Sequence, residues 1–149
     1  MALILRVGLI AGTLDITDNL IFNQLRGITP GMVFHYIASG LIGTRAFEMG
    51  FAAVVLGVAI HYAIALGWTA VFYAASRKFP ILTRRPLISG LLYGITVYLI
   101  MNLVVLPLTR VPHSEKAMTL ASRINGVLAV MLFIGLTISL LLRRSSVTA

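Results

Sequence analysis

The chain has 149 residues, 59% hydrophobic and 11% charged, with a net charge of +8 and a mean hydropathy of +1.00. A soluble domain holds roughly 45–50% apolar and about 25% charged residues, so apolar side chains in this excess need lipid around them. The absence of cysteine excludes disulfides, thiol chemistry and thiolate-held metal, and basic residues flank the apolar runs instead of sharing one soluble face, which argues against a nucleic-acid partner.

The expected fold is all-α: a polytopic membrane protein with four transmembrane helices and a short interfacial or re-entrant helix on the outer side. The spans fall at about 3–23, 51–76, 87–109 and 123–142, the short helix at about 30–42, all in a single membrane domain. Each span reaches the ~20 residues needed to cross about 30 Å of hydrocarbon. Lipid offers no partner for open backbone groups, and the alternation of a β-barrel is missing, so the spans must be helices.

The first span carries Asp15 and Asp18, two of only four acidic residues. An ionised carboxylate near the bilayer centre costs at least about 2.5–3.5 kcal/mol, so it needs a partner, a wet cavity or a proton. At 100° per residue Gly8, Ala11, Gly12, Asp15, Asp18 and Asn19 share an arc of about 120°, with Leu9, Ile10, Thr13, Leu14 and Ile16 outside it. Gly8-x-x-x-Gly12 permits close approach of another backbone, so this face is expected to turn inward. The two acids interrupt what would be a signal-peptide core, and no small-x-small cleavage site follows. The segment therefore reads as a retained span.

Between the first two spans, Thr29 suits a helix N-cap and Pro30 the first helical turn. Met32, Val33, Tyr36, Ile37 and Ile42 give an apolar face, and Gly40 and Gly43 end the segment. It reads either as a helix resting on the lipid surface or as a lid over an outward-facing cavity. The second span has His61 as its sole ionisable group before the basic end at Arg77 and Lys78. The third contains Gly90-x-x-x-Gly94, expected to be a packing notch, then Asn102, and Pro107 near its end. The fourth, with Asn125 in its first turns and Ser114 as an expected cap ahead of it, is stopped by Arg143-Arg144-Ser145-Ser146.

The basic loop Arg77–Pro86 sets the orientation with N- and C-termini cytoplasmic, alongside Arg6, Arg143 and Arg144. Asp15 lies roughly midway between Arg6 and Arg26, His61 falls at a similar depth, and Asn102 and Asn125 lie in the outer half. A polar pocket open to the outside and closed below by apolar packing is the expected result. Its candidate substrate- or proton-binding residues are Asp15, Asp18, Asn19, His61 and Asn102. The aspartates are read as functional, whereas His61 is read first as a hydrogen-bonding residue that fixes helix register. Three acid and imidazole ligands are a thin case for a metal, and neither metal nor cofactor is expected. Tyr62, Tyr73, Tyr93, Tyr98 and Trp68 are read mainly as packing or interface anchors. No phosphate loop, Ser-His-Asp order, HExxH or CxxC is present, so no catalytic residues are expected.

The stretches Ala11-Gly12-Thr13-Leu14-Asp15-Ile16, Ile37-Ala38-Ser39-Gly40-Leu41-Ile42-Gly43, Leu92-Tyr93-Gly94-Ile95-Thr96-Val97-Tyr98 and Met101-Asn102-Leu103-Val104-Val105-Leu106-Pro107-Leu108 resemble those of uncharacterised small bacterial inner-membrane proteins. The likeness covers most of the chain up to about Pro112. It implies a four-helix bacterial inner-membrane protein and carries no activity with it. Two functions stay open: a small transporter or channel-like protein, expected to be oligomeric because four helices make a thin wall, handling protons, a cation or a small polar solute; or a non-catalytic accessory or assembly subunit of a larger membrane complex.

Overall fold

A computed structural model describes residues 1–112 and 119–147, the last four of these as backbone alone. All regular structure among the described residues is helical. The principal helices are α1 (Ala2–Gln24), α2 (Pro30–Ile42), α3 (Phe51–Lys78), α4 (Pro86–Leu108) and α5 (Leu120–Arg143). Of these, α3, α4 and α5 are long and apolar enough to cross a membrane. The 23 residues of α1 give it the length, but Arg6, Asp15 and Asp18 dilute its apolarity and it is not among the three.

Small residues decide how the helices meet. On α1 the buried residues are Val7, Gly8, Ala11, Gly12 and Ile16, which centre on the face expected to turn inward. Gly12 lies so close to α3 that a Cβ there would stand 3.0 Å from Ala65 Cβ and 3.2 Å from Tyr62. Helix α1 thus packs along α3 on one side and against α5 on the other. Gly90 and Gly94 do form a packing notch, and its occupant is α5: a Cβ on Gly94 would come within 2.8 Å of Val130 O, and one on Gly90 within 2.9 Å of Gly135 O. At one end of the bundle Val7, Phe72, Ile138 and Leu142 form an apolar core with Ala11, Ala65, Val97 and Ile134.

Helix α2 begins as its sequence dictates. Thr29 Oγ1 accepts from the Met32 N–H at 3.4 Å, Pro30 takes the first turn, and the chain leaves through Gly43 at φ +67°. The helix is seated on protein. Gly57 of α3 lies directly against the Phe34 backbone, Ala38 and Ser39 are fully buried, and His35 Nε2–H donates to Gly50 O at 2.9 Å. At its far end the Arg110 N–H donates to Gly40 O at 3.0 Å. Helix α2 therefore bridges from α3 to the end of α4 and roofs the bundle.

Two segments widen into π-helix, Met101–Val105 in α4 and Val130–Leu136 in α5. The first has a local cause. Pro107 has no N–H and its ring crowds the carbonyl four residues back, so the preceding turn relaxes by opening. In the second, the Thr137 hydroxyl donates to Leu132 O, five residues back, at 3.1 Å. Helix α5 starts at Thr119, whose Oγ1 accepts from the Ser122 N–H at 3.2 Å; Ser114, the expected cap, lies outside the described residues. The helical backbone runs on through Val147, so Arg143-Arg144-Ser145-Ser146 ends the apolar stretch and not the helix.

Candidate functional site

Beneath the α2 roof lie two hollows. The inner one, about 250 Å³, is lined by Asp15, Ile16 and Asn19 of α1, by Tyr36, Ile37 and Gly40 of α2, by Ile60, His61, Ile64, Ala65 and Trp68 of α3, and by Val97, Met101, Leu106, Val130 and Ile134 from α4 and α5. The outer one, about 510 Å³, takes in Asn23, Tyr98, Asn102, Ser122 and Asn125. Asn19, Tyr36, Ile37 and Val130 line both, so the two hollows adjoin.

Helix α1 carries a ladder of polar contacts toward the roofed end. Thr13 Oγ1 and Tyr62 OH share a hydrogen bond of 2.9 Å. His61 Nε2 lies 2.9 Å from Gly12 O. A carbonyl can only accept, so Nε2 carries the hydrogen and, in the neutral ring, Nδ1 is left as the acceptor. Next comes Asp15, half-buried, within electrostatic reach of His61 and Asp18. No hydrogen bond or ion pair is made by its carboxylate among the described residues. Asp18 differs: Asn125 Nδ2 donates to its Oδ2 at 3.0 Å. Asn23 Nδ2 donates to Asn19 Oδ1 at 3.0 Å. At the rim the Arg26 guanidinium donates to Ser122 Oγ and stands over the Phe22 ring, 5.4 Å from its centroid.

The expected site residues are therefore split. Asp15, His61 and Asn19 share the inner hollow. Asn102 lines the outer one with its Nδ2 spent on Tyr98 O at 2.9 Å, and Asp18 is engaged with α5 instead of lining either. Among the described residues no three His, Asp or Glu groups are placed to hold a metal. Trp68, read mainly as a packing or interface anchor, lines the inner hollow, and so does Tyr36 from the apolar face of α2. Tyr93 explains the placing of Trp68: its OH donates to Trp68 O at 2.6 Å, and its ring meets Phe72 edge-on at 4.9 Å. Asn125 and Ser122 were the least visible members, because their partners sit about a hundred residues earlier in the chain.

No known protein family, curated protein or solved structure matches the chain.

Proposed function

We propose that the protein is a small integral membrane protein that takes up a proton, a cation or a small polar solute from the outer side into the hollow around Asp15 and His61. In this reading α1 is a fourth span beside α3, α4 and α5, kept in the bilayer because its polar face is turned to its neighbours. The basic connection Arg77–Pro86 supports cytoplasmic termini and puts the α2 roof on the outer face. The resemblance noted above favours a bacterial inner membrane. Four helices make a thin wall for a complete pathway, which favours a homo-oligomer.

One observation carries the reading: Asp15 faces a cavity with no hydrogen-bonding partner for its carboxylate among the described residues. A carboxyl group kept only for structure would be expected to be paired, as Asp18 is with Asn125. In proteoliposomes, Asp15→Asn should reduce proton- or solute-dependent flux by at least tenfold while the protein inserts and purifies normally. Wild-type flux in that variant refutes the proposal. Loss of a co-purifying membrane partner, with no flux in the wild type, favours the accessory-subunit reading instead.

A further inference from the structure

The wall of the inner hollow restricts what can occupy it. Apart from Asp15, His61 and Asn19 its lining is hydrocarbon and aromatic, with Trp68, Tyr36 and Ile64 among it. An inorganic cation would have to exchange its water shell for one carboxylate, one imidazole and one amide. Calcium and magnesium demand six or more ligands, nearly all oxygen, zinc takes at least three side-chain ligands, and no cluster of three acid or imidazole groups is placed to hold either kind among the described residues. A neutral solute could donate hydrogen bonds to the Asp15 carboxylate but would leave its charge uncompensated, which is the costly outcome for a charge away from water. A proton alone would neutralise Asp15 and use none of the apolar wall. An occupant with one positive charge and an apolar body meets both demands at once. Its charge sits at Asp15, its body fills the hydrocarbon part of the cavity, and Trp68 and Tyr36 in the wall supply the aromatic rings that attract a weakly hydrated cation.

We infer that this cavity is a binding site for a compact organic monocation, of the alkylammonium or arylammonium class, held by Asp15. The inference deepens the function proposed above and rests on reading the hollow as a ligand site. The volume, about 250 Å³, lies below the roughly 300–1,000 Å³ of drug-sized sites, which sets the word compact.

Trp68 is the one tryptophan in the chain and lines this cavity, so its fluorescence reports on this site and on no other. Benzyltrimethylammonium titrated into the detergent-purified protein should change that fluorescence saturably. Its uncharged isostere neopentylbenzene should bind at least tenfold more weakly, and Asp15→Asn should weaken the cation response by the same factor. An equal response to both compounds, or no saturable response to the cation, overturns the inference. Should Asp15→Asn fail to fold, the comparison of charged and neutral probe on the wild type decides alone. A silent titration together with Asp15-dependent proton flux in liposomes overturns the organic-cation class and leaves the proposed function standing. Saturable, charge-selective binding with wild-type flux in Asp15→Asn does the reverse.

Discussion

Asn125 reaches across from α5 to give its amide hydrogen to Asp18, and that contact defines what the second carboxylate does. A hydrogen bond to a charged group contributes about 1.5–3 kcal/mol, while bonds between membrane helices average nearer 0.6. Asn125→Ala is therefore expected to destabilise the protein by about 1 kcal/mol, read as a lower thermal midpoint in detergent. The exchange Asp18→Asn with Asn125→Asp should restore most of the loss, because donor and acceptor merely trade helices. Failure of the exchange to rescue would mean that Asp18 matters for something other than this pair. The inward face of α1 was readable because glycine, alanine and the acids fall in one arc. The different company of Asp15 and Asp18 was not. Both satisfy the same angular rule, and only the position of Asn125, which lies in a helix far along the chain, separates them.

Helix against helix, the closest approaches run through glycine. A side chain on Gly94 would meet the backbone of α5 at Val130 and Met131, so Gly94→Leu must push α4 and α5 apart. Overpacking of this kind costs about 1–3 kcal/mol, and a lower thermal midpoint in detergent is the expected reading. Gly57→Val acts at the other end: its side chain would collide with the Phe34 backbone and lift α2. Water-borne quenchers such as acrylamide should then reach Trp68 more readily; unchanged quenching would show that α2 does not roof the cavity. The glycine pair on α4 was recognisable as a notch from its spacing. Its partner Gly135 was not, since a lone glycine in an apolar helix has no pattern around it. The cap and first turn of α2 were likewise local and visible at Thr29 and Pro30. Its seat was not, because it is built from Gly50 and Gly57 at the start of α3 and from Arg110 after α4, two segments apart from it in the chain.

Taken whole, the chain exposes 9403 Å² of surface, against about 7,400 Å² for a soluble monomer of its mass. Leu87, Ile88, Leu92, Leu99 and Leu103 of α4 are among the exposed large side chains, and a surface of that kind is covered by acyl chains or by another subunit. The proposed orientation is open to direct measurement. The chain lacks cysteine, so single substitutions Arg85→Cys and Arg45→Cys report sidedness without background. A membrane-impermeant maleimide applied to intact cells should label position 45 and spare position 85. The opposite pattern would invert the proposed topology and place the roofed hollows on the cytoplasmic side. Composition made the lipid environment plain, because it sums over every residue. Whether α1 shares it was harder to read, since Arg6, Asp15 and Asp18 lower its apolar average.

The open turn at Met101–Val105 behaves as slack in the chain. A π-helical turn is an α-helical turn holding a surplus residue, so taking one out of this stretch, with Pro107 replaced by alanine so that the turn can close, keeps the flanking faces of α4 in phase. The same excision in uniform α-helix swings everything beyond it by about 100°. Length in this protein is therefore negotiable at that level of α4, and rigid through the glycine notch one helical stretch earlier.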